Sequence, residues 1–135
     1  MKLLIDANIL LDVLQNRASF VEDSSLVWKL CETGQAEGIV SARTFANLVY
    51  VMRKELGPEK IEEVCKLLSL IFHFADFSVS DMNRAAEMKW KDFEDAIQSA
   101  TAERVSAAYL ITRNVKDFSK SKVPALTPAE FLARL

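Results

Sequence analysis

Short unbroken apolar runs alternate along this chain with longer stretches where apolar residues recur every three or four positions. Leu3 to Ile5 is the first run, Gly38 to Val40 the second and Phe72 to Val79 the third; Tyr109 to Thr112 is a fourth, and Val123 to Leu126 a short fifth. Runs of this kind are what strands buried on both faces show, as in a parallel sheet lying between helices. Helical patterns fill the intervals: Asn8 to Leu14, Ser19 to Cys31, Ser41 towards Leu56, Glu59 to Ile71, Ser80 through Met88, and Asp92 to about Ala107. In the second of these, Phe20, Leu26, Val27, Leu30 and Cys31 fall on one side. Gly34 is a stop signal, and Gly57-Pro58 separates two helices. Thr127-Pro128-Ala129-Glu130 has capping-box spacing and opens a final helix. Ala96, Ile97, Ala100 and Thr101 give one helix a small-residue face suited to close packing on a sheet. The alternation predicts an α/β architecture.

Composition narrows the picture. The chain has 135 residues, 50% of them hydrophobic and 27% charged, which predicts a single folded domain over residues 1–135 and not a disordered segment. The formal net charge of −2 excludes a strongly basic nucleic-acid footprint over the whole chain. Cys31 and Cys65 have no CxxC spacing and both lie in helical patterns, so they read as reduced core thiols. His73 is the only histidine, which leaves no His-rich zinc site; it reads as a structural strand residue. Three glycines and no GxGxxG or GxxxxGK[ST] string exclude a dinucleotide-binding turn and a P-loop. No run approaches the roughly 18 apolar residues of a membrane span, and the N-terminus enters a strand directly, so a cytoplasmic location is expected.

Candidate chemistry rests on acids. Asp6 closes the first apolar run, where a parallel sheet presents residues to its ligand crevice. Asp92, Glu94 and Asp95 open a helix, and Asp117 follows the fourth strand in the segment Asn114-Val115-Lys116-Asp117. Right-handed crossovers place the ends of strands one and four on the same edge, and the helix before strand four starts near that edge too. Carboxylates gathered there need a cation, and an all-oxygen donor set suits Mg²⁺ or Mn²⁺ and phosphate chemistry. Three of these acids also have a plainer reading: Asp92 and Asp95 as acids that cap and stabilise a helix start, and Asp117 as a turn residue, whereas Asp6, directly after a buried strand, needs a partner.

With these segments together, the chain resembles the PIN-domain nucleases over nearly its whole length. The likeness rests on Leu4-Ile-Asp-Ala-Asn8, Ser41-Ala-Arg-Thr-Phe-Ala-Asn47, Asp92-Phe-Glu-Asp-Ala-Ile-Gln98 and Ile111-Thr-Arg-Asn-Val-Lys-Asp-Phe118. It implies a three-layer α/β/α sandwich with a mostly parallel sheet of four or five strands. It also implies a Mg²⁺- or Mn²⁺-dependent ribonuclease, in many bacterial cases a VapC-type toxin held inactive by a small antitoxin. Asp6 and Asp95 match family acids. Asn114 stands at a usual acidic position with Asp117 three residues on, and Asn47 stands where many members have glutamate. A branch of the family shares these two departures. The expected catalytic set is Asp6, Asp95 and Asp117, with Asp92, Glu94 and Asn114 as further metal ligands.

An acidic chain that handles RNA needs a local basic rim. Arg113, Lys116, Lys120 and Lys122 cluster beside the acidic loop, and Arg17 and Arg43 follow other strand ends; the plainer reading is a solvated charged loop. Arg113, Lys116, Asn47, Asn8 and Thr112 are the expected substrate contacts, with Thr112 either orienting the site or simply ending its strand. Expected partners are the RNA substrate, an antitoxin protein and a second copy in a homodimer; Tyr50, Val51, Leu67, Trp28 and Trp90 suit either core or interface, and periodicity does not decide between them. The alternative is a catalytically weak PIN-like module that binds RNA or protein. A receiver domain is disfavoured because Asp6 has no acidic neighbour, and a haloacid-dehalogenase-type phosphatase because Asn8 occupies its second aspartate position.

Overall fold

The computed structural model describes residues 1–135. At its centre lies β1 (Lys2–Ile5), whose Leu3, Leu4 and Ile5 are all buried. Successive strand side chains point to opposite faces, so Leu3 and Ile5 enter one apolar cluster and Leu4 enters another. The remaining elements are α1 (Ala7–Leu14), α2 (Val21–Glu32), β2 (Glu37–Ser41), α3 (Ala42–Met52), α4 (Pro58–Ile71), β3 (His73–Ala75), α5 (Val79–Met88), α6 (Phe93–Arg104), β4 (Tyr109–Ile111), a 3₁₀ turn over Val115–Phe118, β5 (Ala125–Leu126) and α7 (Pro128–Leu132). The five strands form one sheet in the order β3-β2-β1-β4-β5, and every pairing is parallel. Leu4 stands opposite Ile39 on β2 and Leu110 on β4.

Helices cover both faces, giving the α/β/α layering. On one face Ile9, Leu10, Val27, Leu48, Leu68 and Phe131, from α1, α2, α3, α4 and α7, pack with Leu3 and Ile5. On the other, Ala102, Phe118 and Val123 pack on Leu4, Ile39 and Leu110. The small-residue face of α6 is what lets that helix lie close: Ala96, Ile97, Ala100 and Thr101 are all buried. On its outer side α6 takes α5 against Ala85. Arg104 ties the pair together by donating to both carboxylate oxygens of Asp81, at 2.8 and 3.1 Å.

Several boundaries differ from the sequence expectation, each for a local reason. The third strand has three residues, His73–Ala75; Phe72 is the C-cap of α4 and is buried edge-on against Trp28. The cap of α5 is Ser78 and not Ser80, because Ser78 and Asp81 form a reciprocal capping box. Helix α2 begins at Val21, and Phe20 and Leu26 are exposed and do not belong to its buried side. Helix α3 stops at Met52 and α6 at Arg104, both short of the expected ends. Cys31 is buried, but Cys65 is only half-buried; both thiols are free. Tyr50, Val51 and Leu67 lie on the surface, whereas Trp28 and Trp90 pack against the core clusters. No helix is long and apolar enough to cross a membrane.

Gly38 is required by packing. A Cβ there would lie 2.6 Å from the Phe72 ring and 2.7 Å from the Cys31 sulfur.

Candidate active site

The sheet order reverses direction between β1 and β4, since β1 leads on to β2 on its other side. Open α/β sheets bind ligands in the crevice at the carboxyl ends of such a strand pair. Asp6 and Thr112, the residues that follow β1 and β4, occupy this edge and meet there. The Asp6 amide donates to the Ile111 carbonyl at 3.0 Å, extending the pairing by one residue. The Thr112 hydroxyl donates to Asp6 Oδ2 at 2.8 Å and accepts from the Asn114 amide at 3.1 Å.

The other oxygen of Asp6 is held as well. Oδ1 accepts from the Ala7 amide at 3.1 Å and from Gln98 Nε2 at 3.4 Å. Gln98 is buried on α6 and accepts from the Thr44 hydroxyl, which accepts in turn from Ser41. This polar chain therefore links the ends of β2, β1 and β4 through one helix. Burial pushes the Asp6 carboxyl above its ordinary range; the bonds from Thr112, Ala7 and Gln98 and the charge of Arg43 oppose that shift without cancelling it.

Asp95 lies one turn before Gln98 on α6 and is only partly buried. Its carboxyl is pushed up to about 6, by burial first and then by the negative charges of Asp92, Asp117, Asp6 and Glu94. Acids from three separate segments thus share one electrostatic neighbourhood. Asp92 also caps α6, accepting from the Asp95 amide at 3.1 Å, so its plainer role is present too. Asp117 is exposed in the 3₁₀ turn and lines an open cleft of about 720 Å³ together with Asp92, Glu94 and Asp95. Asn114 is exposed at the start of that turn, and its carbonyl accepts from the Asp117 amide at 3.0 Å.

The expected substrate residues are distributed unevenly. Lys116 and Asn47 are exposed, and Lys116 makes no ion pair. Asn8 is half-buried and accepts from Arg17 at 3.2 Å. Arg113 lies over the Phe20 ring at 4.0 Å, with Nη1 3.6 Å from the buried Asp12. Arg17 is 3.6 Å from the same carboxylate, so both arginines answer a buried charge. Arg43 faces Glu94, 3.8 Å from its carboxylate and 3.4 Å from its carbonyl.

The donors at the acidic edge are oxygens, the type a hard divalent cation takes. His73 stands exposed on β3 beside Glu37, and no sulfur ligand joins the acids. The acidic side chains do not form a closed cluster of three that would hold an ion as they stand. Donor type and mutual repulsion fit a divalent cation bound with several waters; a dry, all-protein cage does not fit.

Sequence reasoning missed Gln98, Thr44 and Arg43 as neighbours of Asp6, and Lys89, Trp90, Lys91 and Phe93 as lining of the cleft. Gln98 leaves one trace: it is the only amide side chain in a helix whose positions from 96 to 102 are otherwise small or apolar. The lysines leave none, because an exposed lysine near a helix end is ordinary.

Comparison with known proteins agrees with this geometry. A family model described as PIN domain matches residues 2–116. Among curated proteins, none matches the chain in sequence. The fold is similar to VapBC2 from Rickettsia felis bound to a promoter DNA fragment, with 16% identity, a TM-score of 0.73 and coverage of 94% of this chain and 98% of that one. It is similar to a toxin–antitoxin complex from Klebsiella pneumoniae at 25% identity and a TM-score of 0.71, covering 93% of this chain and 96% of that one. The sarcin–ricin loop cleaving toxin VapC20 of Mycobacterium tuberculosis is similar at 10% identity and a TM-score of 0.64, with coverage of 80% and 86%. The all-parallel sheet, the acids at its carboxyl edge and a family match over most of the length lead to one assignment: the chain belongs to the PIN-domain family.

Proposed function

We propose that this chain is a Mg²⁺- or Mn²⁺-dependent endoribonuclease that hydrolyses RNA phosphodiester bonds, and that it serves as the toxin of a toxin–antitoxin pair in the cytoplasm. The observation that carries the reading is the gathering of acids from three segments at the edge of the sheet, where Asp95 is pushed up to about 6 by burial first and then by the charges of Asp92, Asp117, Asp6 and Glu94. That repulsion is what a bound divalent cation would relieve.

Asp6, Asp95 and Asp117 would hold one or two ions, with Asp92, Glu94 and Asn114 adding oxygens. When bound, such an ion polarises a phosphoryl oxygen and makes a water molecule more acidic. The chain's own part is orientation. Thr112 and Gln98 fix both oxygens of Asp6, so its lone pairs are aimed before ligand arrives. Lys116 and Asn47, both exposed, would meet phosphate or base from solvent, with Asn8 close behind Asp6 in the chain. Arg113, held against Asp12, supports the loop that carries Asn114 and Asp117. The solved toxin–antitoxin complexes that share its fold support an antitoxin partner, and the exposed Tyr50, Val51, Leu67 and Leu70 on α3 and α4 offer apolar surface for that partner or for a second copy.

The test is cleavage of labelled RNA together with metal titration by calorimetry. Wild type should cleave in Mn²⁺ and stop in EDTA; Asp6→Asn should abolish cleavage while circular dichroism stays unchanged. A wild-type chain that neither binds divalent metal nor cuts RNA would overturn the assignment. A weak-module reading draws on the open acidic cluster and on Asn47 and Asn114, which add no charge. It requires millimolar or absent metal affinity with RNA or protein binding retained.

A further inference from the structure

The cleft beside the acids carries features that metal binding does not use. Its volume of about 720 Å³ falls within the range of small-ligand sites, roughly 300–1,000 Å³. It is lined by the segment Lys89-Trp90-Lys91, which joins α5 to α6, and by Ser119 and Lys120, which follow the 3₁₀ turn. Lys89 ends α5 in the left-handed region, with φ 57° and ψ 36°, and residues 89–95 line the cleft from there.

Two observations point to a ligand. The first concerns charge. Lys89, Lys91 and Lys120 border a concentration of carboxylates, yet none of them pairs with one; all the molecule's lysine and arginine ion pairs involve other residues. Three unpaired ammonium groups around an acidic floor would let a phosphate chain enter where the acids alone would repel it. The second concerns an aromatic ring. Phe93 is the first residue of α6 and lies between Asp92 and Glu94. It is 45% exposed, belongs to no core cluster and has no aromatic partner. Trp90 differs: it packs edge-on to Phe118 at 6.2 Å and forms a fixed wall. An uncovered phenyl face among lysines is the arrangement with which proteins bind single strands, a base stacking on the ring and phosphates running along the cations.

We propose that Phe93 is a stacking platform for an unpaired base of single-stranded RNA, and that Lys89, Lys91 and Lys120 hold the phosphates on either side of it. The inference rests on the ribonuclease reading and extends it: the acids cut, and the lysine–phenylalanine cleft selects an unstacked nucleotide next to the cut. A base paired in a helix cannot present its face to the ring, so the cleft discriminates by strandedness.

The test uses the 135-residue chain carrying Asp6→Asn in Mn²⁺, so that bound RNA stays intact, with a fluorescently labelled single strand followed by anisotropy. Phe93→Ala should weaken binding about tenfold, the scale of one lost base stack, and Phe93→Trp should restore it. The same strand annealed to its complement, or made abasic, should be insensitive to Phe93. The triple change Lys89→Ala, Lys91→Ala, Lys120→Ala should weaken all strands and flatten the salt dependence by about two units. Phe93→Ala binding that equals the parent, or an equal loss for single strand and duplex, would overturn the platform. If wild-type protein cleaves RNA and Phe93→Ala changes neither affinity nor KM, this inference fails alone; if wild type neither binds nor cleaves RNA, the ribonuclease reading fails with it.

Discussion

Asp95 shows how much a single side chain can report. Its folded-state carboxyl sits at about 6 against an ordinary 3.8, so the native protein binds that proton more tightly than the unfolded chain does. The stabilising contribution is complete below the unfolded value and is lost as pH rises through about 6. Asp6, also raised, acts in the same direction. Asp81 acts oppositely: burial raises it, but its bonds from Arg104 and Ser78 carry it below the ordinary value, so its contribution is lost only in stronger acid. In EDTA the melting temperature should therefore fall between pH 4.5 and pH 7, and Asp95→Asn should flatten that slope. A melting temperature that rises across this interval would contradict the carboxyl cluster. At this scale the sequence was partly legible. Asp6 was readable because an acid directly after a buried strand needs partners; Gln98 was not, since its value lies in a contact 92 positions away.

Among the elements, the strand cores and most helix starts followed from pattern and capping chemistry, and the misses came where two cues competed. Ser78 and Ser80 both offer a hydroxyl, but only Ser78 has an acid three residues on, at Asp81, and the reciprocal pair decides the start of α5. The third strand was overread because the apolar run from Phe72 continues past the three residues that pair with β2. Tertiary contact chose the rest. Gly38 is the clearest case, since the close approach of β2 to Phe72 and Cys31 depends on the missing Cβ. Gly38→Ala should cost about 1–3 kcal/mol by forcing those side chains apart, measurable as a lower midpoint in urea with an unchanged m-value. A neutral substitution would mean that β2 and α4 have room to separate.

For the molecule as a whole, net charge misleads. A formal −2 conceals acids crowded at one edge with unpaired lysines beside them. Such an edge costs stability in the absence of a counter-ion and gains it by mass action when one binds. Mn²⁺ at a hundred times its dissociation constant should raise stability by about 2.7 kcal/mol, with removal by EDTA reversing the shift; in Asp6→Asn the gain should shrink. A melting temperature insensitive to Mn²⁺ would favour the weak-module reading. Fold class was legible at this scale because βα alternation is a global pattern. The basic side of the cleft was not, because it depends on how the turn before α6 folds back on the 3₁₀ loop.

The pairing of β1 with β4 also has a consequence in time. Asp6 and its Thr112 partner are 106 residues apart, so the pair can close only after all the segments between them have been made. While the ribosome is still making the intervening segments, the first aspartate has neither its hydroxyl donor nor the turn bearing Asp117. Such long-range closure comes late in folding, because its entropic cost precedes its reward. A chain that has not yet closed this pairing therefore lacks the assembled acidic edge on which the proposed cleavage depends.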